Sequence, residues 1–159
     1  MSLFKIIREN KYDKFINEFS EKDLTLTDSQ KYNLLMVSIF EGAKEISFFL
    51  IDKGIDLNYQ DKKGQTVLHH LAIYYDKHIL IKILGNDIDI NISDNYGNQA
   101  LWSAVFNDKG FGKRTEMVKL LIDYGADPNH INNVNKSPIE ISQIAGYKEV
   151  YKIMSESIS

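Results

Sequence analysis

The residues best able to do chemistry lie in Asp87-Ile88-Asp89-Ile90-Asn91-Ile92-Ser93, where four side-chain oxygen donors recur at every second position. That is the spacing with which a calcium loop of about twelve residues begins. Such a loop needs Gly for its sharp turn and a bidentate carboxylate at its end, and Ile92 and Asn98 hold those places. The alternation fits an extended segment better, with isoleucines on one side and oxygens on the other. His69, His70, His78 and His130 make no H-E-x-x-H pair, and there is no cysteine to complete a zinc set. G-x-S-x-G, a phosphate-cradling Gly-rich loop and a Cys nucleophile are all missing. Asn91-Ile92-Ser93 matches a glycosylation sequon, but no export signal accompanies it. No set of acid, base, nucleophile and metal ligand can be assembled, so neither catalysis nor a metal or cofactor is expected.

The elements that hold these residues repeat along the chain. Asp28, Asp61 and Asp94 recur every 33 residues, and Leu35, Leu68 and Leu101 keep the same interval. Asp56-Leu57-Asn58 and Asp89-Ile90-Asn91 stay in step, whereas Asp127-Pro128-Asn129 follows 38 residues later, so that unit carries five extra residues. A last unit restarts at Asn132 and reads Ser137-Pro138-Ile139-Glu140, with Gly146 and Glu149 in the places of Gly42 and Glu45. Asp23-Leu24-Thr25 lies 33 residues before Asp56 and extends the phase backwards.

Thr66-Val67-Leu68-His69 followed by Asp89-Ile90-Asn91 is close to the T-P-L-H and D-x-N signature of ankyrin repeats. The chain thus resembles the ankyrin-repeat family along nearly its whole length. The resemblance implies an all-α solenoid of about five stacked helix pairs with short hairpin arms, and a non-catalytic scaffold for binding another protein. It divides residues 1–159, read as a single domain, into an N-terminal capping helix pair (1–27), repeats at 28–60 and 61–93, a repeat with the insertion (94–131) and a C-terminal capping repeat (132–159).

Composition agrees with one globular domain. The chain has 159 residues, 43% hydrophobic and 26% charged, with a net charge of -3 that gives no reason to expect nucleic acid. No run approaches the roughly 18 apolar residues of a membrane span, and MSLFKIIREN lacks a signal peptide's apolar core, so a cytoplasmic monomer is expected. Lysine accounts for 17 of the 19 basic residues and isoleucine is frequent, a bias of AT-rich genomes that points to a bacterium.

Apolar positions at helical spacing predict the helices. Leu3, Phe4, Ile6 and Ile7, then Phe15, Ile16 and Phe19, make the cap. Leu34 to Ile39 and about Lys44 to Lys53 make the next pair, stopped by Gly54 in the left-handed conformation. In the next unit Asp87 holds the slot of Gly54 and Gly125, which predicts a displaced turn. His69 is expected to bond within the turn around Thr66; Met36, Trp102 and Glu140 stand at its equivalents, so that network is expected once. Asp108 to Thr115, DKGFGKRT, replaces a short link and is expected to be a protruding loop made mobile by Gly110 and Gly112.

Family resemblance places partner contacts on hairpin tips and on the concave side of the first helix of each pair. Those slots hold Tyr32, Phe40, Glu41, Lys62, Lys63, Gln65, Tyr74, Asn95, Tyr96, Asn98 and Phe106. Aromatic rings are favoured interface anchors, and packing between neighbouring units is the other use for them. Trp102 fits either a packing layer or an exposed anchor. In the insertion, Phe111 beside Lys113 and Arg114 fits an acidic patch on a partner, or simply a solvated loop. Small freestanding ankyrin proteins include immunity proteins that neutralise a toxin, and adaptors that position a partner without inhibiting it. The first of these is the specific expectation here.

Overall fold

A computed structural model describes residues 2–159, whose contacts divide after Ile88 into two compact units. The first contains α1 (Leu3–Arg8), α2 (Tyr12–Glu18), α3 (Leu34–Phe40), α4 (Lys44–Asp52), α5 (Val67–Ile73) and α6 (Lys77–Leu84). The second contains α7 (Ala100–Asp108), α8 (Thr115–Asp123), α9 (Pro138–Ile144) and α10 (Lys148–Ser157). These are five helix pairs. In the first unit α1 packs on α2 and α3, and α3 and α4 pack on α5 and α6; in the second α7 and α8 pack on α9 and α10.

Helices this short are marginal alone, because nucleating a helix costs more than a few hydrogen bonds return. Burial of one face supplies the difference. Ile6, Ile7, Phe15, Leu34, Leu35, Ile46, Leu50, Leu68, Leu71, Leu80 and Ile83 are buried in the first unit, and Leu101, Val105, Met117, Val118, Leu121, Val150 and Met154 in the second. Ser38 and Ser47 sit where α3 meets α4, their hydroxyls 2.7 Å apart, and each is satisfied again by a carbonyl one turn back.

The arms are tight turns rather than strands; the described residues hold one isolated bridge, Thr27 with Asn33, and no strand. Across Asp87 to Ser93 only Ile90 and Asn91 form a turn, and the expected alternation is kept without strand pairing: Ile88 and Ile92 are half-buried and Ile90 buried, while Asp87, Asp89 and Asn91 are exposed. Each arm is closed by the same device. Asp28 Oδ1 accepts the amides of Gln30 and Tyr32, Asp61 Oδ1 those of Lys63 and Gln65, Asp94 Oδ1 those of Tyr96 and Asn98, and Asn132 Oδ1 those of Val134 and Lys136. Asp56, Asp89 and Asp127 each hold the amide two residues on. Asp23 departs from the phase: Glu21–Thr25 is a 3-10 helix in which Asp23 bonds back to Ser20.

Three residues after each of the four closing residues the backbone is left-handed, with φ of 59° at Lys31, 75° at Gly64, 77° at Gly97 and 56° at Asn135. Gly54 and Gly125 stop α4 and α8 at φ of 77° and 92°, with the amide after each reaching back to Leu50 and Leu121. α6 lacks this stop, since Gly85 has φ of -76°, which is the displaced turn expected at Asp87. Thr66 and His69 form the expected reciprocal cap, with the Thr66 amide donating to His69 Nδ1 at 3.1 Å. The network is not confined to that unit: Ser137 and Glu140 complete the same box. Glu140 substitutes for histidine because its carboxylate reaches the same amide.

Asp61 is buried, and its second oxygen lies 2.9 Å from His70 Nε2. Burial pushes its carboxyl up, but the bond from His70 and the amides of Gln65 and Lys63 outweigh this and hold it below the ordinary value of 3.8. A depressed carboxylate contributes stability that is present above the unfolded-state value and lost as pH falls through the folded one. Asp61→Asn should therefore cost about 1–3 kcal/mol at pH 7. That gap should narrow below about pH 4, which urea unfolding across pH can measure. A Cβ on Gly97 would meet the Asn133 amide nitrogen at 2.9 Å, whereas one on Gly54 meets nothing. Gly54→Ala should cost about 1 kcal/mol for its left-handed backbone alone, and Gly97→Ala about twice that or more; equal losses would mean that the close approach carries no weight.

Candidate protein-binding face

α3 and α5 begin at buried caps, Asn33 and Thr66, and bury nearly every residue up to their last turn. Only at Phe40, at the end of α3, and at Ile73 and Tyr74, at the end of α5, do apolar side chains emerge. Tyr32 rises from the foot of its hairpin onto the same face. Its ring stands edge-on to Phe40 at 4.8 Å, and Phe40 lies 5.0 Å from Tyr74, so three residues expected from sequence are brought together. Edge-to-face geometry of this kind is the favoured arrangement of aromatic quadrupoles.

Packed against Tyr32 and Phe40 is His70, which sequence brought forward only among the histidines weighed as zinc ligands. It is buried, 5.4 Å from Tyr32 and 4.8 Å from Phe40, edge-on to both, and Asp61 holds its far nitrogen. Sequence does carry a signal for it. His69 is committed to the cap of α5, and the next residue is turned about 100° around the helix, toward the neighbouring pair. Burial and the charges of Asp61 and Asp28 raise the Tyr32 phenol above its ordinary value, so Tyr32 acts as a neutral amphipathic surface.

Beside Phe40 and Tyr74 opens a cleft of about 300 Å³, lined also by Ile39, Tyr75 and Ile79. Its rim carries Lys44 and Asp76, paired at 3.0 Å. Asp76 also caps α6 by accepting the amides of His78 and Ile79. A larger depression of about 620 Å³ near Asn10 and Glu45 is lined mainly by charged and polar side chains and offers no comparable apolar wall. Lys62, Lys63 and Gln65 lie on the second hairpin, the lysines exposed and Gln65 half-buried, and exposed Glu41 lies 3.8 Å from Arg8 Nε.

The second unit presents its expected residues in two places. Tyr96 and Phe106 are 67% and 56% exposed, positions that packing within the unit leaves open. Trp102 is half-buried, intermediate between the two roles open to it. Asn95 and Asn98 are partly committed to structure: Asn98 Oδ1 accepts from Asn132 at 2.8 Å, and the Asn95 carbonyl accepts from Asn133 at 3.2 Å.

The insertion holds the remaining three residues. Phe111 is 77% exposed, Lys113 is exposed, and Arg114 Nη1 donates to the Lys113 carbonyl at 2.9 Å. The connecting loop is shorter than Asp108 to Thr115, because α7 runs through Asp108 and α8 starts at Thr115. It is also anchored, where its glycines suggested mobility. The buried Asp108 carboxylate accepts the amides of Arg114 at 2.7 Å and Gly112 at 3.3 Å. Gly110 faces Tyr147, whose ring would lie 3.0 Å from an added Cβ.

No group of three or more His, Cys, Asp or Glu side chains that could hold a metal gathers among the described residues. No helix among them is long and apolar enough to cross a membrane.

Comparison with known proteins agrees with the turn geometry. The family model described as ankyrin repeats (3 copies) matches residues 3–94, 35–132 and 70–157. Serine/threonine-protein kinase 12 of Arabidopsis thaliana is 32% identical over 62% of this chain but only 20% of its own length. Palmitoyltransferase AKR1 of Candida glabrata is 32% identical over 75% of this chain and 16% of its own. This chain thus spans a fifth or less of those two relatives. The protein YahD of Escherichia coli, named as an ankyrin repeat protein, is 26% identical over 83% of this chain and 66% of its own length. With overlapping matches from residue 3 to residue 157 and the same closing turn in four successive arms, the chain belongs to the ankyrin-repeat family.

Proposed function

We propose that this protein captures another protein on the aromatic face of its first unit, with Tyr32, Phe40 and Tyr74 as anchors and the cleft beside them as the seat. Ankyrin repeats are protein-binding modules, and the specific reading rests on one observation. Tyr32 and Tyr74 both meet Phe40 where the chain leaves all three at least partly exposed, and Tyr32 and Phe40 rest on a histidine whose far nitrogen a buried carboxylate holds. Rigid aromatic residues lose little conformational freedom on binding, which is why so few of them carry so much interface energy. Tyr96, Trp102 and Phe106, and the loop residues Phe111, Lys113 and Arg114, are secondary contacts in this proposal.

The narrower reading is an immunity-type protein that neutralises a toxin or enzyme, acting as a cytoplasmic monomer. The alternative is an adaptor that positions its partner and leaves it active. The proposal also takes residues 1–159 as a single array. That predicts one cooperative thermal transition in calorimetry, with equal van't Hoff and calorimetric enthalpies; two resolved transitions would divide it.

For the function itself, immobilised wild-type protein and a Phe40→Ala/Tyr74→Ala variant are compared for what each retains from the native cell. The variant should stay helical by circular dichroism and bind the recovered partner at least tenfold more weakly, about 1.4 kcal/mol. Equal binding by both would move the interface elsewhere, and Phe111→Ala then tests the loop. The partner's own activity, measured with and without the wild-type chain, separates neutralisation from positioning.

A further inference from the structure

From α3 onward the first helix of each pair starts at an equivalent position, but the starts differ. Asn33 Oδ1 accepts the Met36 amide at the head of α3, and reciprocal caps, Thr66 with His69 and Ser137 with Glu140, begin α5 and α9. Gln99 holds the same slot before α7, and its side chain bonds no helix amide. Its carboxamide nitrogen donates instead to the Asn91 carbonyl at 2.8 Å, and its oxygen, although buried, accepts no hydrogen bond. Trp102, in the place of His69 and Glu140, carries a donor and no acceptor, so it cannot take the Gln99 amide. Among the described residues one other buried side-chain atom finds no hydrogen-bond partner, the Thr115 hydroxyl, and it lies at the head of α8 in the same repeat. α7 ends on Lys109, a left-handed residue that is not glycine, with φ of 52°. Its buried apolar layer is also thin, Ala100, Leu101, Ala104 and Val105 against Leu34, Leu35, Met36, Val37 and Ile39 on α3.

We propose that α7 and the loop after it form a conformational device, a segment that opens locally while α3 and α5 stay folded. A missing cap, a buried polar atom without a partner and a left-handed lysine each burden the closed state and are relieved when the segment opens. Stacked repeats ordinarily fray at the ends of the chain, where a pair has a single neighbour, yet these burdens gather in the third of the four repeats that follow the cap. The loop follows the helix, because the carboxylate that anchors it, Asp108, is the last residue of α7. Opening therefore repositions Phe106, in the last turn of α7, and Phe111, on the loop, and leaves Tyr32, Phe40 and Tyr74 where they are. The second unit gains adjustable rings beside the fixed ones of the first.

The test is native-state hydrogen exchange of the full chain, read by mass spectrometry. The amides of α7 should exchange about tenfold or more faster than those of α3 and α5. Two variants then address the cause. Gln99→Thr supplies the hydroxyl that begins α5 and removes the unpaired oxygen; the Asn91 carbonyl it frees belongs to an exposed residue, where water takes the bond. Thr115→Val removes the unpaired hydroxyl and keeps the side chain's shape. Each should slow exchange in α7 and its loop about threefold or more and leave α3 unchanged. Protection of α7 equal to that of α5 would overturn the proposal, as would fast exchange in α7 that both variants leave unaltered. So would exchange that occurs in α3, α5 and α7 together as one event, because a single global opening would then account for it.

Discussion

The structure depends on the closure of each hairpin by one side-chain oxygen. Two amides, two and four residues downstream, converge on a single oxygen of Asp28, Asp61, Asp94 or Asn132, and the carbonyl of the residue four on accepts the closing residue's own amide. An irregular turn buried against its neighbour would otherwise leave polar backbone groups unpaired, and such groups are costly once water is excluded. With the turn closed, the chain enters the next helix, and the cap residues Asn33, Thr66, Gln99 and Ser137 follow five residues after the four closing residues. The left-handed residue inside the turn is a geometric demand so firm that a lysine and an asparagine meet it where glycine is absent.

Short helices placed this way gain their stability from stacking. Each pair offers one apolar layer, so sequence constraint falls on the residues that face neighbouring pairs and is lifted where a helix ends. Function can occupy the released positions without disturbing the stack. Phe40 and Tyr74 are such positions, and the first-unit face is what their rings make of that freedom. The neighbouring Asp61–His70 bond ties this face to the turn closure itself: the same carboxylate that shapes the hairpin orients the ring beneath the aromatic residues. The insertion between α7 and α8 follows the same rule of carboxylate closure, with Asp108 doing for the loop what Asp61 does for the arm.

The relatives use this unit inside much longer chains, a kinase in one case and a palmitoyltransferase in another. The part shared with this chain is a fifth or less of each of those two relatives. That is why the family assignment carries protein binding as its general meaning and leaves the partner's chemistry to the exposed side chains.

Periodicity was enough to establish the repeat, the five pairs, the Gly54 stop, the displaced turn after α6 and the Thr66–His69 cap, because each of these depends on residues within a few positions of one another. Local sequence also overreached. It read mobility into Gly110 and Gly112, where the Asp108 carboxylate anchors the loop by two amides. The contacts of Phe40 with Tyr32 and Tyr74, and of Tyr32 and Phe40 with His70, were decided only by tertiary structure, as were the bond from His70 to Asp61 and the use of Asn98 to hold Asn132. Contacts between Phe40 and Tyr74, or between Asn98 and Asn132, join residues 34 positions apart. Their existence depends on how adjacent pairs register when they stack, and that register is set by the summed packing of every buried side chain between them, which no single stretch of sequence contains.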